Sequence, residues 1–258
     1  MSDDDLDLFQ RLAKLGIKAP REVIEALLRN ASKTKMSPRR LLEKLCIAEQ
    51  QEREQRNLAR RIKMATLGTP TALDQFDWNH PREIDKALFE ELYELHFLQR
   101  GHNVLMRGPA GVGKTTLAQH LGQRALALGH TVRFSTLPAA LADLLRQESL
   151  PATERRIKRY TQPDLLILDE LGYVPCDARA ADLLFHIISR RHEQRSVVIT
   201  TNLAYKQWGT VFRDASCLSA LIDRFAQHCH TLDIDAESWR QKTSVKKTRP
   251  RRKPRKRT

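Results

Sequence analysis

Residues 108–115 read Gly-Pro-Ala-Gly-Val-Gly-Lys-Thr, so every required position of the pattern G-x-x-x-x-G-K-[ST] is filled. The mostly apolar residues 103–106 precede this stretch, and residues 116–121 follow it with leucines one helical turn apart. A glycine-rich loop between a strand and a helix is typical of phosphate binding, because glycine lets backbone N–H groups face the anion. The positive end of the helix faces the same anion. The sequence therefore predicts a nucleoside triphosphate site rather than a chance glycine-rich turn.

The loop also predicts what individual side chains do. Lys114 can reach the β- and γ-phosphates, and the hydroxyl of Thr115 can hold Mg²⁺. We therefore assign Lys114 to catalysis as well as to nucleotide binding. The predicted nucleotide-binding residues of the loop are Gly108, Pro109, Ala110, Gly111, Val112, Gly113, Lys114, Thr115 and Thr116.

A second strong signal is the run Asp-Leu-Leu-Ile-Leu-Asp-Glu at residues 164–170. Its four apolar residues predict a central strand, and its two last acids stand at the carboxyl end, where open α/β sheets bind ligands. Asp169 is predicted to support Mg²⁺ through water, and Glu170 to act as the general base on the attacking water. An acid pair can also cap the next helix, but the phosphate loop earlier in the chain favours the catalytic interpretation.

Two further polar residues are candidates for contact with the γ-phosphate. Asn202 follows the apolar strand 197–200 and can orient the attacking water, although alone it would be a common turn residue. Arg240 lies in the predicted last helix and can approach the γ-phosphate from the same subunit, so it joins the predicted nucleotide-binding residues.

Arg224 is predicted to point away from the apolar face of its helix. In that position it can project into the nucleotide site of a neighbouring subunit, where an arginine stabilises the charge that develops on the transferred phosphoryl group. The alternative is an ordinary surface ion pair with Asp223 or Asp233. Composition alone does not choose between the two.

From residue 101 onward, strand patterns alternate with helical patterns, which is typical of a parallel sheet covered by helices on both faces. We predict an α/β fold with a five-stranded parallel sheet, preceded by a small helical N-terminal domain. The predicted strands are 104–106, 132–134, 165–168, 197–200 and 232–234, and the predicted helices of this part are 115–128, 137–146, 152–160, 179–193 and 215–229.

Helix breakers and charge set the domain boundaries. The predicted order is a helical partner-binding domain at 1–65, a linker at 66–82, a nucleotide-binding domain at 83–240 and a disordered basic tail at 241–258. The nucleotide-binding domain is expected to open with a helix at 83–98. Within the first domain, a helix from Ser37-Pro38 is predicted to bury a side made of Leu41, Leu42, Leu45 and Ile47.

Two stretches permit two interpretations each. Residues 49–61 are almost wholly polar and predict a solvated helix, but Arg53, Arg56, Arg60 and Lys63 have a helical spacing that also permits DNA contact. The solvated helix is slightly favoured. The aromatic residues Phe76 and Trp78 can pack on a nucleotide base or seat the linker on the domain, and we favour seating.

Charge and cysteine content point to a cytoplasmic protein that meets polyanions. The tail 241–258 has ten basic residues and no acidic residue, so it accounts for +10 of the net charge of +14. Binding to nucleic acid is favoured over a solubilising tail or a localisation signal. No apolar run approaches the roughly 18 residues of a membrane span. The cysteines are scattered without a C-x-x-C pair, which predicts reduced thiols.

Several stretches together resemble the IstB-like proteins, the ATPase helpers of insertion-sequence transposition, which are relatives of the helicase loader DnaC and the initiator DnaA within the AAA+ class. The resemblance covers about residues 40–242. The Leu-Gly-Tyr-x-Pro run after the acid pair and the Ser-Trp-Arg ending are its more specific parts. The resembling stretches are residues 76–78, 108–118, 164–175, 200–203, 207–208, 220–225 and 237–240.

The resemblance implies an AAA+ P-loop fold that binds ATP and Mg²⁺ at the subunit interfaces of a ring or helical oligomer. It also implies that the oligomer binds duplex DNA without sequence specificity and works with a transposase. Asn202 resembles the first sensor, Arg224 the finger that acts in trans, and Arg240 the second sensor. In relatives a helix after the second strand faces nucleic acid, and the predicted DNA-binding residues of that helix here are Arg155, Arg156, Lys158 and Arg159.

Two other functions remain as alternatives. One is a DnaC-like loader that binds a replicative helicase and single-stranded DNA, and the partner of residues 1–65 would distinguish it from a transposase helper. The other is a small-molecule phosphotransferase, which lacks support because no lid or acceptor-binding motif is visible in the sequence.

Overall fold

The computed structural model describes residues 7–79 and 83–235. These residues form two compact units, one ending at Lys63 and the other beginning at Met64, close to the predicted boundary at residue 65. The predicted tail 241–258 and the predicted nucleotide-binding residue Arg240 lie outside the described residues. Within the described ranges, no helix is both long enough and apolar enough to cross a membrane. All four cysteines carry free thiols.

The N-terminal unit is helical, as predicted. Its helices are α1 (Leu8–Lys14), α2 (Arg21–Thr34) and α3 (Pro38–Ala65). Proline stands directly before α2 and at the first position of α3, where its missing N–H removes no helical hydrogen bond. The buried residues of this unit, among residues 7–63, are Ala19, Ile24 and Glu49.

Glu49 joins α3 to the chain between α1 and α2. Its Oε2 accepts a hydrogen bond of 2.6 Å from the N–H of Lys18, and its Oε1 accepts one of 2.8 Å from Arg56. Arg56 also donates to the carbonyl of Lys18 at 3.0 Å. Burial by itself raises the pKa of Glu49, but these hydrogen bonds outweigh it and hold the pKa below its usual value. Arg56, one of the alternative DNA contacts, therefore has partners inside this unit.

The predicted buried side of α3 is wrong at two positions. Leu42 is 61% exposed and Ile47 is 52% exposed. A residue turns about 100° around a helix, so Leu41 and Leu45 share a face while Leu42 and Ile47 fall outside it. Leu41 and Leu45 are partly buried, which agrees with that geometry.

The second unit contains a six-stranded sheet in the order β1-β6-β2-β5-β4-β3. The five predicted strands are confirmed, and they are mutually parallel. The strands are β1 (Glu83–Ile84), β2 (Asn103–Arg107), β3 (Val132–Thr136), β4 (Leu165–Leu171), β5 (Ser196–Thr201) and β6 (Cys229–Asp235).

The sixth strand, β1, was not predicted. It runs antiparallel to β6 and pairs Ile84 with Ile234. The predicted helix at 83–98 is therefore wrong at its start. Asp85 follows β1 and caps the next helix by accepting a 2.8 Å hydrogen bond from the N–H of Leu88. Two residues are too few to show strand periodicity, and their partner lies far away in the sequence.

Helices cover the sheet largely where the sequence predicted them. The predicted helix at 215–229 is too long, because Cys229 already belongs to β6. The helices of this unit are α4 (Lys86–Tyr93), α5 (His96–Gln99), α6 (Lys114–Ala127), α7 (Leu137–Leu145), α8 (Leu150–Thr161), α9 (Ala178–Arg191), α10 (Trp208–Val211) and α11 (Leu218–Ala226).

The strand order places the two strongest sequence signals on either side of β5. Strand β2 leads into the phosphate loop and β4 carries the acid pair, and each pairs with β5. Every residue of β5 is buried, as expected for a central parallel strand that is covered on both faces. The carboxyl ends of these parallel strands therefore meet at one edge of the sheet, where ligands bind in such folds.

The predicted linker 66–82 is, over residues 66–79, part of the second unit rather than a free connector. Gln119 on α6 donates a 2.7 Å hydrogen bond to the carbonyl of Leu67. The Nε2 of His120 lies 2.7 Å from the carbonyl oxygen of Thr71. Leu67 itself is buried. Helix α6 thus holds the linker next to the phosphate loop.

A buried arginine lies at the amino end of the parallel strands β4 and β5, opposite the edge that carries the acid pair. Arg191, at the end of α9, is 1% exposed, and burial lowers its pKa to about 9. A polar group this deeply buried is tolerated because backbone carbonyls surround its guanidinium. It donates hydrogen bonds to the carbonyls of Tyr160, Thr161, Pro163, Asp164 and Ser196.

We expect the substitution Arg191→Met to lower the free energy of unfolding by about 3 kcal/mol, because it leaves several buried carbonyls without a donor. Urea denaturation followed by circular dichroism measures this change. The neighbouring Arg190 provides the control, since it forms an ion pair of 2.7 Å with Glu154 at the surface. Arg190→Met should cost less than about 1 kcal/mol. Equal losses in the two variants would contradict the assigned role of Arg191.

Candidate active site

The phosphate loop joins β2 to α6, which begins at Lys114. Gly113 has a φ of 97°, in the left-handed region, and an added Cβ would lie 2.5 Å from a ring atom of Phe76. An added Cβ on Gly108 would lie 2.2 Å from the carbonyl oxygen of Ile234 on β6. Both positions therefore require glycine, the first for its backbone conformation and the second for the close approach of a strand.

A cavity of about 280 Å³ opens at the carboxyl edge of the sheet above this loop. Its volume is near the lower end of small-molecule sites, roughly 300–1,000 Å³. The phosphate loop, the acid pair and the end of the linker contribute its walls. The lining residues are Thr71, Ala72, Gln75, Phe76, Asp77, residues 110–116, Asp169, Glu170, Tyr173 and Thr200.

Most of the predicted loop residues line this cavity, but Gly108 and Pro109 do not. Their carbonyls instead accept hydrogen bonds of 2.8 Å and 2.6 Å from the Nζ of Lys114. Lys114 is buried, and these carbonyls solvate its ammonium group. The amine therefore already lies within the loop, at the N-terminal end of α6, where an anion is also favoured by the helix dipole.

Asp169 and Thr115 meet directly. The hydroxyl of Thr115 lies 3.0 Å from both carboxylate oxygens of Asp169, which is buried. A hydroxyl and a carboxylate are hard oxygen donors, so the pair fits Mg²⁺. No cluster of three or more histidine, cysteine or acidic side chains suited to a metal occurs in the described ranges. One carboxylate and one hydroxyl suit Mg²⁺ in particular, because it is commonly bound through one or two protein carboxylates together with phosphate and water.

Glu170 is exposed and lines the same cavity as Asp169. Its backbone has a φ of 66°, which is rare for a residue other than glycine. Backbone conformations of this kind cost energy and are found at functional sites. The structure thus brings together Lys114, Thr115, Asp169 and Glu170, as the sequence predicted.

Asn202 reaches the edge of the sheet but not the wall of the cavity. It stands one residue beyond β5, is exposed, and its Oδ1 lies close to Gly172 in the segment after β4. Its position beside the acid-pair strand agrees with the sequence analysis, and its role remains a prediction.

Arg224 does not form the ion pairs that were its alternative explanation. Among the described residues, no ion pair joins it to Asp223 or Asp233, and Asp233 instead accepts two hydrogen bonds of 2.7 Å from Arg107. Arg224 lies along α9, where it donates to the hydroxyl of Ser189 and its guanidinium carbon is 4.8 Å from the ring centre of Phe185. It is not among the residues that line the cavity of its own chain.

The four predicted DNA-binding residues of the basic helix α8 fall into two groups that differ in exposure. Arg155, Lys158 and Arg159 are exposed. Arg156 instead forms an ion pair of 2.6 Å with Asp143 on α7, and the same carboxylate accepts a 2.8 Å hydrogen bond from Tyr160. Burial is the larger cause that raises the pKa of Tyr160 to about 12, and the hydrogen bond to the negatively charged Asp143 is the second cause. Arg156 therefore attaches α8 to α7.

The two aromatic residues of the linker have different surroundings. Phe76 lines the cavity beside Gly113. Trp78 packs on the buried ring of Phe89, with ring centres 5.3 Å apart. Trp78 therefore seats the linker, as favoured, whereas Phe76 faces the cavity. Thr200 was not predicted as a cavity residue, although the hydroxyl that directly follows the apolar run 197–199 was an available signal.

Known proteins with similar sequences are named for ATP binding, in agreement with this site. The family described as IstB-like ATP binding protein matches residues 10–247. A protein of Pseudomonas aeruginosa, named for ATP binding and insertion sequence IS21, is 38% identical over 226 residues, which are 86% of this chain and 84% of that protein. A protein of Geobacillus stearothermophilus, named for ATP binding and insertion sequence IS5376, is 31% identical and covers 88% of this chain and 90% of its own.

Solved structures confirm the predicted AAA+ fold. The structure of DnaI has a TM-score of 0.52 at 16% identity and covers 68% of this chain and 92% of its own. Replication initiator DnaA bound to AMPPCP and single-stranded DNA has a TM-score of 0.51 at 18% identity and covers 67% of this chain and 56% of its own. Because the family match spans residues 10–247 and a relative that covers 86% of the chain is 38% identical to it, the chain belongs to the IstB-like ATP-binding proteins.

Proposed function

We propose that this chain is the ATPase helper of a transposition system, which binds ATP with Mg²⁺, assembles on duplex DNA and stimulates a transposase. The observation that carries the proposal is the meeting of Lys114, Thr115, Asp169 and Glu170 in one cavity. Its family consists of ATP-binding proteins, and its relatives are named for insertion sequences. ATPase activity is therefore the chemistry that the site and the family both support.

Each polar residue of the cavity has a separate proposed role in ATP hydrolysis. Lys114 and the backbone N–H groups of the loop bind and orient the phosphates, at the positive end of α6. Thr115 and Asp169 would hold Mg²⁺, which would neutralise charge on the phosphate oxygens. Glu170 accepts a proton from the attacking water, and its exposed position gives it access to that water. Asn202 orients the water from the end of β5.

Residues outside the cavity are proposed to complete it. Arg224 serves the cavity of a neighbouring subunit in a ring or helical oligomer, which agrees with its absence from the cavity of its own chain. Arg240 is proposed as a second sensor of the γ-phosphate. On this basis the ATP state of one subunit depends on contact with the next.

The proposed DNA surface is the exposed side of α8, formed by Arg155, Lys158 and Arg159. These side chains are long and positively charged, so they suit contact with phosphates, which every DNA sequence presents. Choice of the target site would then fall to the transposase, for which residues 1–65 are the proposed docking domain. The alternative is a DnaC-like role in the loading of a replicative helicase.

The first prediction separates nucleotide binding from hydrolysis. Lys114→Ala should abolish binding of a fluorescent ATP analogue, because it removes the charge that reaches the phosphates. Glu170→Gln should retain binding and lower kcat about 10²–10⁴-fold, because the amide cannot accept the proton. Normal hydrolysis by both variants would rule out this cavity as the active site.

The second prediction concerns DNA. Replacing Arg155, Lys158 and Arg159 with alanine should weaken binding equally for unrelated duplex sequences. It should also reduce the slope of log affinity against log salt by about one per lost phosphate contact.

The control triple variant replaces Arg21, Arg29 and Arg39, which are exposed on α2 and α3 and bind nearby glutamates. It makes the same change in net charge, so it should leave the salt slope nearly unchanged. If both triple variants lower affinity alike, binding follows overall charge rather than α8. Pull-down with transposase or with helicase then tests the choice of partner.

The third prediction tests whether Arg224 acts in trans. Arg224→Ala should lower the ATPase rate of the DNA-bound oligomer by about 10³-fold, as for other arginine fingers. Mixing it with the inactive variant Glu170→Gln should restore activity, because some interfaces then pair an intact Glu170 with an intact Arg224. A mixture no more active than its two components would contradict the trans role.

A further inference from the structure

Strand β4 contains a bulge at its acid pair. Leu168 pairs with Ile199 on β5, but Leu171 pairs with Thr201, so the register between the strands shifts by one residue. Asp169 and Glu170 therefore both lie opposite the single residue Thr200. Side chains alternate between the two faces of a regular strand, so two successive acids would normally point to opposite sides. Here both acids line one cavity.

The hydroxyl of Thr200 occupies the position where the bulge interrupts the ladder. It accepts a 3.1 Å hydrogen bond from the N–H of Glu170 and donates to the carboxylate of Asp169. A threonine hydroxyl has one donor hydrogen and can also accept, so it satisfies both groups at once. Thr200 is 1% exposed, so its hydroxyl is largely shielded from bulk water although it borders the cavity.

From this geometry we propose that Thr200 is a positioning residue that links the metal-binding carboxylate to the backbone of the general base. Its hydroxyl holds the Glu170 backbone at the positive φ of 66°, which aims the second acid into the cavity. The same hydroxyl orients the Asp169 carboxylate toward the hydroxyl of Thr115. The proposal rests on the ATPase function described above and assigns a further residue to that site.

A purely structural role is the competing explanation, and Thr201 allows the two to be separated. Thr201 is the next residue of β5 and is 0% exposed. Its hydroxyl also makes two hydrogen bonds, donating to the carbonyl of Leu171 at 2.8 Å and accepting from the N–H of Leu203 at 3.0 Å. These bonds involve neither carboxylate. Thr200 and Thr201 thus match in burial and bonding but differ in their contact with the acid pair.

The test compares Thr200→Val, Thr200→Ser and Thr201→Val with the unchanged full-length protein. ATPase rates are measured across a range of MgCl₂ concentrations. Thermal unfolding with a non-hydrolysable ATP analogue is measured across the same range, so that Mg²⁺ affinity is obtained without turnover. Nucleotide affinity in the absence of Mg²⁺ is measured with a fluorescent ATP analogue.

We expect Thr200→Val to lower kcat about 10–100-fold. It should also raise, by a similar factor, the Mg²⁺ concentration that gives half of the maximal effect on ATPase rate and unfolding temperature, as for other residues that support metal ligands. Nucleotide affinity without Mg²⁺ should change little, because the phosphate loop is intact. Thr200→Ser should restore both quantities, since it keeps the hydroxyl. Thr201→Val should lower the unfolding temperature but leave the Mg²⁺ midpoint unchanged.

Three results overturn the proposal. These are an unchanged kcat and Mg²⁺ midpoint in Thr200→Val, equal shifts of the midpoint in Thr200→Val and Thr201→Val, and a serine variant as impaired as the valine variant. If Thr200→Val does not fold, Thr200→Ser and Thr200→Ala provide the same comparison, because they differ by one hydroxyl. Absence of ATP binding and hydrolysis in the unchanged protein would instead refute the proposed function itself.

Discussion

The arrangement of the site depends on the hydrogen bonds that the carboxylate of Asp169 accepts. Asp169 lies in the mostly buried strand β4 and accepts hydrogen bonds from Thr115 on α6 and Thr200 on β5. One side chain therefore joins the phosphate loop, the acid-pair strand and the central strand between them. A buried carboxylate without such donors would be costly, so the hydroxyls stabilise its charge and fix its direction at the same time.

The rest of the second unit supports that junction. Strand β5 is buried along its whole length and separates β2 from β4, so the phosphate loop and the acid pair are held at a set spacing. At the other end of the sheet, Arg191 binds the carbonyls that precede β4. On the outside, α6 holds the linker and Phe76 beside Gly113. The cavity therefore lies at an edge of the sheet that is held from several sides. The exposed cations of α8 do not line this cavity.

Features that depend on residues close together in the chain were predictable from the sequence, whereas features that depend on distant residues were not. The phosphate loop and the acid-pair strand were predicted because their patterns are contiguous and the backbone responds to them locally. Strand β1 was missed because two residues carry no periodicity and pair with residues distant in the chain. The exposure of Leu42 and Ile47 was missed because apolar residues were counted without their angle around α3. Arg156 looked like its exposed neighbours until its partner Asp143 was located.

The sequence alone determined the fold class, the phosphate loop, Lys114, Thr115 and the pair Asp169 and Glu170, because each depends on residues that are neighbours in the chain. It also determined the kinship with IstB-like proteins, through short motifs. Tertiary structure decided the rest. The bulge that turns Glu170 into the cavity arises from the pairing of β4 with β5, and the hydroxyl of Thr200 reaches Asp169 from a different strand. Such contacts depend on register and strand order, which only the folded sheet specifies.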